Sequence, residues 1–521
     1  MRMVNRYHTP DHVAQQVEAI VTLGREGSSM GLRLESDRGG YFRQAGPAWF
    51  RRGLTSLLFA TAGSSSLYAH GFGQRYDLPV PLGLYLLSAG ATVGFSFLLV
   101  AALAPAGRSG DRRLRLSLPR AGMAGRFFVM FVRAAGIAVF ALVVIAGLIG
   151  NQSPFKNIAP TMVWVIGWVG LSFASALIGD VWTVLNPWDS VARFVARRRQ
   201  RGNPLRSNSD LPLSMRWLDA WPGVVIFLLF AWCELIWDGS DEPRSLALAL
   251  LGYSALTWAG MLLFGRPQWL QRGEIFSVAF GLFSRFAPLE TVDDGKGARL
   301  VLRPYAAGLL SREPESPALT CFVLLLLATV TFDGILETPA WAALAAWFEP
   351  RGLDSATLAT LGLVGLPLAY VGIYLVTIGL TLRFVRASKS VGELAGWFIT
   401  TFVPIAIAYN VAHNLSFFAL GTQYMIPILS DPLGIGWDLF GTKLYLIKTG
   451  LVTARLMWYV AIAVIVGGHV VAVYLAHTQA LRLFPDRVEA LRSQTPLVAL
   501  MIAYTMLSLW ILSQPITNIR P

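Results

Sequence analysis

Ten long apolar runs recur along this chain and leave few folds open to it. About 20 apolar residues in a helix cross the roughly 30 Å hydrocarbon core of a bilayer. Lipid offers no hydrogen-bond partner to open backbone groups, so each run must be helical. The sequence therefore predicts an all-α fold, a polytopic transmembrane helical bundle of about ten helices. The runs lie at approximately 80–105, 126–149, 159–181, 217–238, 244–264, 318–338, 356–382, 393–420, 453–477 and 494–513.

Charged residues make up 14% of the chain and hydrophobic residues 55%. A soluble protein carries roughly 25% charged residues, and the shortfall here is typical of a surface that faces lipid. The formal net charge is +13, which in other chains favours nucleic-acid binding. Here the arginines cluster in loops between the apolar runs, so we expect the bilayer as a partner and no nucleic acid.

Basic loops alternate with loops that hold few cations. The loops after the first, third, fifth, seventh and ninth runs are basic, whereas the loop at 238–242 reads Asp-Gly-Ser-Asp-Glu. Basic loops stay on the cytoplasmic side of a membrane. The pattern therefore predicts a multi-pass protein of a bacterial inner membrane, with residue 70 and the C-terminus on the extracytoplasmic side.

The N-terminal part divides into a polar extension at 1–50 and a signal-like segment at 51–69, ahead of a single transmembrane domain at 70–521. Two arginines, a short apolar core and a small-residue end form the outline of a signal peptide. The alternatives are cleavage after Ala69 and an uncleaved first membrane helix. After cleavage, the free amine and imidazole of His70 would chelate a copper ion together.

Ionisable side chains at membrane depth are costly, so each one is a functional candidate. Asp333 and Glu337 lie four residues apart near the predicted outer end of the sixth run and share a helical face. His413 belongs to the predicted outer third of the eighth run, and His70 precedes the first. Imidazole and carboxylate groups suit a divalent metal such as copper or zinc. We predict His70, His413 and Asp333 as metal ligands. Asp333, Glu337 or Asp438, the last in the predicted outer loop after the eighth run, are candidate catalytic carboxylates.

A second polar cluster is predicted in the inner half. Asp180 ends the third run and Asn186 follows it, while His469 and His477 lie eight residues apart on the ninth run. At the rise of an α-helix, His469 lies about 15 Å deeper than His413. A single site that unites all three histidines is therefore not expected.

The loop after the fifth run contains an amphipathic stretch with Phe and Arg at 274–288. Such a stretch favours a position in the plane of the membrane interface. The two cysteines, Cys233 and Cys321, lie inside apolar runs, and the sequence has no CxxC pair. Neither a disulfide framework nor a zinc-finger type of site is expected.

Six stretches carry a resemblance to a known family; they lie at 69–81, 179–188, 332–334, 408–413, 430–441 and 468–477. They are similar to bacterial polytopic membrane proteins labelled fenitrothion hydrolase. The resemblance implies hydrolysis of a phosphotriester, either alone or as a subunit of a membrane complex. Members often have a histidine where this chain has Asn410.

Three functions follow from these patterns. The first is a metal-dependent hydrolase with a site that faces the outer side, where the metal generates hydroxide and polarises a phosphoryl oxygen. The second is a transporter of a small molecule or ion, or a metal-handling protein, in which the outer and inner polar clusters are binding sites at two depths. The third is a structural subunit of a membrane complex with partner subunits, in which buried polar groups hold the helices of this chain together.

Overall fold

The computed structural model describes residues 81–103, 116–118, 122–202, 215, 217–293, 298–385, 389–448, 450, 453–484 and 486–514. The predicted polar extension at 1–50, the signal-like segment at 51–69 and His70 lie outside the described residues.

Every predicted apolar run forms a helix, which confirms the all-α, multi-pass architecture. Within the described residues, nine helices are long and apolar enough to cross a membrane. The run predicted at 217–238 is the exception, because its helix has 15 residues. In chain order the helices of the bundle are α1 Leu82–Leu103, α2 Met123–Ile149, α3 Ile158–Leu177, α4 Trp182–Leu185, α5 Pro187–Gly202, α6 Trp221–Leu235, α7 Pro243–Phe264, α8 Arg266–Arg272, α9 Ile275–Ser284, α10 Pro317–Leu336, α11 Pro339–Phe348, α12 Ser355–Arg383, α13 Val391–Ser430, α14 Ala454–Leu483 and α15 Arg487–Ser513.

Side-chain caps determine where several of these helices begin. Ser316 accepts a hydrogen bond from the backbone N–H of Leu319 at the start of α10, and Asp354 accepts one from Thr357 at the start of α12. The first backbone N–H groups of a helix lack partners within it, and such caps satisfy them. These two helices therefore start at the polar residues that precede their apolar runs.

The stretch predicted at the interface instead enters the bundle. Glu274 caps α9, and the hydroxyl of Tyr253, midway along α7, donates a hydrogen bond to it at 2.7 Å. Phe280 of α9 is buried and packs against Trp168 and Trp182. The interfacial position was wrong because the aromatic rings of α3 and α4 bury this helix on several sides.

A three-stranded antiparallel sheet, not expected from the sequence, joins two of the loops. Strands β1 (Leu116–Ser117), β2 (Leu289–Asp293) and β3 (Ala298–Leu302) pair in the order β1-β3-β2. A parallel bridge from Gly179 to Leu289 connects the sheet to the end of α3. These short strands lie between helices and leave the class of the fold unchanged.

Four helices pack around Tyr409 of α13. Ala89 of α1, Ile465 of α14 and Leu509 of α15 form a buried cluster with it, and Val330 of α10 packs against that cluster. The residues lie near the start of α1 and near the end of α10 and α15. This side of the bundle is called the predicted outer side below, after the orientation that the basic loops predict.

Candidate functional site: an imidazole–carboxylate pair inside the bundle

Asp333 of α10 and His413 of α13 form a direct pair. Nε2 of His413 lies 2.7 Å from Oδ2 of Asp333, within hydrogen-bond distance. The side chain of His413 is 5% exposed and that of Asp333 is 29% exposed. The two residues belong to different membrane helices and are 80 positions apart, and the structure brings these two predicted site residues together.

Gly334 allows the helices around this pair to approach closely. A Cβ atom at this position would lie 2.6 Å from Cγ2 of Ile511 and 3.0 Å from the hydroxyl of Tyr409. It would also lie 3.8 Å from Cε1 of His413. A glycine directly after Asp333 therefore permits α13 and α15 to pack against α10 at the level of the pair.

Tyr409 is a member of the site that the sequence analysis did not single out. It lies one helical turn before His413, and the centroids of the two rings are 6.3 Å apart. Its hydroxyl is buried and has no hydrogen-bond partner among the described residues. The sequence contains one signal that could have identified Tyr409: in Ala-Tyr-Asn-Val-Ala-His at 408–413, the tyrosine lies one helical turn before the histidine and therefore shares its face.

The other predicted outer residues lie apart from the pair or beside it. Glu337 is half-buried directly after the end of α10, one turn beyond Asp333. Asn410 accepts a hydrogen bond from the side chain of Asn414 at 2.8 Å. Asp438 is exposed in the loop after α13 and accepts a hydrogen bond from Ser430 at 2.9 Å. Since Ser430 is about 25 Å along the helix from His413, the Asp438 loop is not part of the pair.

Each member of the predicted inner cluster has its own hydrogen-bond partner. Asp180 accepts a hydrogen bond from the hydroxyl of Thr183, and Asn186 donates one to Glu274 at 3.1 Å. His469 bonds to the backbone of its own helix. His477 bonds to Gln494 of α15 at 3.2 Å.

Glu274 is the most enclosed carboxylate among the described residues, and sequence reasoning assigned it no role. Six groups donate hydrogen bonds to its two oxygens. They are the hydroxyls of Tyr253 and Ser277, the indole N–H of Trp182, the amide of Asn186 and the backbone N–H groups of Phe276 and Ser277. The role of Glu274 is therefore to attach α9 to α4 and α7.

The described residues do not complete a metal centre. No group of three His, Cys, Asp or Glu side chains with the spacing of a metal site occurs in the part of the chain that the structure describes. Asp333 and His413 supply two ligand types, whereas zinc sites in proteins use three or four protein ligands. The third predicted ligand, His70, lies outside the described residues.

Comparisons with family models, with curated proteins and with solved structures found no match. The resemblance to the fenitrothion hydrolase family therefore stays a prediction. What the chain shows by itself is a multi-pass helical bundle that contacts the bilayer, with a carboxylate–imidazole pair between two of its membrane helices.

Proposed function

We propose that this protein moves protons or small cations across a bacterial inner membrane, and that Asp333 and His413 form its binding station on the extracytoplasmic side. The observation that carries the proposal is the 2.7 Å contact between these two side chains inside the bundle. The predicted orientation, with basic loops in the cytoplasm, supports a station that loads from outside.

The net charge of the pair of Asp333 and His413 explains why it would bind a proton or a cation. With Asp333 ionised and His413 neutral, the pair holds one negative charge in a region where charge is costly. Uptake of one proton, or of one monovalent cation beside the carboxylate, brings the net charge of the pair to zero. The partial exposure of Asp333, at 29%, gives the ion access, while the buried imidazole orients the carboxylate.

Proton flux into liposomes tests this function. The purified full-length chain would be reconstituted with a pH-sensitive dye inside, and a potassium diffusion potential would be applied with valinomycin. We expect flux in the wild type and its loss in Asp333→Asn, which keeps the size of the side chain and removes its charge.

Asp354→Asn is the matched control. Asp354 is an exposed carboxylate that caps α12, and asparagine caps a helix equally well. Flux should be unchanged in this variant. A wild type that conducts no more protons than empty liposomes, or an Asp333→Asn variant that conducts protons normally, would refute proton movement through this pair.

The metal-dependent hydrolase is the second candidate, because the pair combines an imidazole nitrogen with a carboxylate oxygen. Elemental mass spectrometry on protein purified without affinity metals would test it, with His413→Ala alongside. About one copper or zinc per chain, lost in the variant, would favour the hydrolase, since ligand removal weakens metal binding. Metal-free wild-type protein would exclude a stably bound metal at this pair.

A further inference from the structure

Two histidines of α14 share one hydrogen-bonding arrangement. Nδ1 of His469 lies 2.8 Å from the backbone oxygen of Ile465. A carbonyl oxygen only accepts, so Nδ1 carries the hydrogen and Nε2 is left with a lone pair. That Nε2 atom is buried and has no hydrogen-bond partner among the described residues.

His477 repeats the arrangement two turns further along α14. Its Nδ1 faces the side-chain oxygen of Gln494 at 3.2 Å, while the amide nitrogen of Gln494 donates to the backbone oxygen of Ala490. The glutamine therefore presents an acceptor, and Nδ1 of His477 must be the donor. Within the described part of the chain, Nε2 of His477 is again buried without a partner. Both imidazoles thus hold a free acceptor in the interior.

Two tyrosines supply the complementary donors. The hydroxyls of Tyr409 and Tyr504 are buried and lack hydrogen-bond partners within the described residues. The ring of Tyr504 stacks on that of Tyr370 at a centroid distance of 5.0 Å. The hydroxyl of Tyr370 lies 2.9 Å from that of Thr331, two residues before Asp333 on α10. Donors and acceptors are therefore present from the Asp333 level downwards.

The buried tyrosines and histidines lie at successive depths in the bundle. Tyr409, Ile465 and Leu509 pack in one cluster, so we take them to lie near one depth. His469 follows Ile465 by four residues on α14, which runs away from the predicted outer side. Tyr504 precedes Leu509 by five residues on α15, which runs towards that side. Both residues therefore lie about 6–8 Å further from the predicted outer side than the cluster. His477 lies about 12 Å below His469. The order from the predicted outer side is Asp333 with His413, then Tyr409, then Tyr504 and His469, then His477.

We propose that these groups form a proton path along α14, with His469 as its middle station. The inference rests on the proposed function in one respect, since Asp333 and His413 load the path. A proton binds to Nε2 of His469 and leaves from the same atom, because Nδ1–H stays bonded to Ile465. Water molecules bridge the gaps between stations, as they do between buried polar groups that do not touch.

Proton flux in variants of the full chain tests the path. His469→Gln retains an amide that donates to Ile465 and cannot take up a proton, and Tyr504→Phe removes one unpartnered hydroxyl. We expect His469→Gln to fall to the rate of empty liposomes and Tyr504→Phe to conduct measurably less than the wild type. The matched control is Thr505→Val, which removes a buried hydroxyl at the same depth that bonds to Met501 of its own helix. Its flux should equal that of the wild type.

A second readout separates the path from the proposed function. In protein with ¹⁵N-labelled histidine in lipid nanodiscs, we expect His469 to show a protonated Nδ1 and an Nε2 in contact with exchanging water. Loss of flux in Asp333→Asn with full flux in His469→Gln would overturn the path and leave the function in place. A wild type without flux would overturn the function. A dry Nε2 at His469 would overturn the path with or without flux.

Discussion

Nε2 of His413 and Oδ2 of Asp333 lie 2.7 Å apart across the contact between α13 and α10. This contact is a hydrogen bond between helices as well as a candidate ion site. Interhelical hydrogen bonds in membranes contribute about 0.6–2 kcal/mol, because each partner finds other partners in the unfolded state. The pair should therefore contribute measurably to the stability of the bundle.

A double-mutant cycle with Asp333→Leu and His413→Leu should give a coupling free energy of about 0.6–2 kcal/mol. The reason is that each single change removes the same contact. Unfolding in mild detergent, followed by the fluorescence of the tryptophans, would measure it. A coupling near zero would mean that the two side chains do not interact in the folded protein.

Gly334→Ala should destabilise the protein by about 1–3 kcal/mol, because overpacking forces neighbours to move. The added methyl group would lie 2.6 Å from Cγ2 of Ile511, which is too close for two carbon atoms. The control is Gly365→Ala within α12, where nothing lies within 4 Å of the new methyl group. That change should stabilise the helix by up to about 1 kcal/mol, since alanine favours a helix over glycine. Thermal unfolding of both variants would measure the difference, and equal effects would contradict the close packing at Gly334.

Glu274→Gln should destabilise the protein by at least about 2 kcal/mol, because an amide NH₂ would face buried donors and leave them unmatched. All six donors converge on the two carboxylate oxygens. Limited proteolysis of the loop that contains α8 and α9 should become faster in this variant. Glu393→Gln is the control, since Glu393 pairs with Lys389 at a partly exposed site and water screens such pairs, so that they contribute little to stability. Equal proteolysis of both variants would contradict the anchoring role of Glu274.

Low pH should loosen the start of α12. Hydrogen bonds from the side chain and backbone of Thr357 hold the pKa of Asp354 below its ordinary value of 3.8. A lowered pKa in the folded state stabilises the protein above the ordinary value, and this stabilisation is lost as the pH falls through the folded pKa. Hydrogen exchange at the amide of Thr357 should therefore lose protection below pH 3.8, beyond the intrinsic pH dependence of exchange.

The start of α10 provides the comparison for that measurement. Ser316 caps α10 through a hydroxyl, which does not titrate in this range, and it protects the amide of Leu319. Protection of Leu319 should not change between neutral pH and pH 3. Parallel loss at both amides would indicate general unfolding rather than the protonation of Asp354.

The sequence by itself determined the membrane helices. Runs of apolar residues such as 318–338 and 356–382 became α10 and α12 with ends within a few residues, because lipid requires both apolar side chains and closed backbone hydrogen bonds. Asp333 and His413 could be singled out for the same reason, since an ionisable group within such a run is costly and therefore conspicuous.

Only the tertiary structure decided which polar residues meet. The pair of Asp333 and His413 depends on how α10 packs against α13. The same packing leaves the hydroxyl of Tyr409 buried, with no hydrogen-bond partner in the described part of the chain. The buried position of Glu274 was hidden because its donors come from α4, α7 and α9, which are far apart in the chain. Periodicity reports the faces of one helix, whereas a contact between helices depends on crossing geometry that no single run encodes.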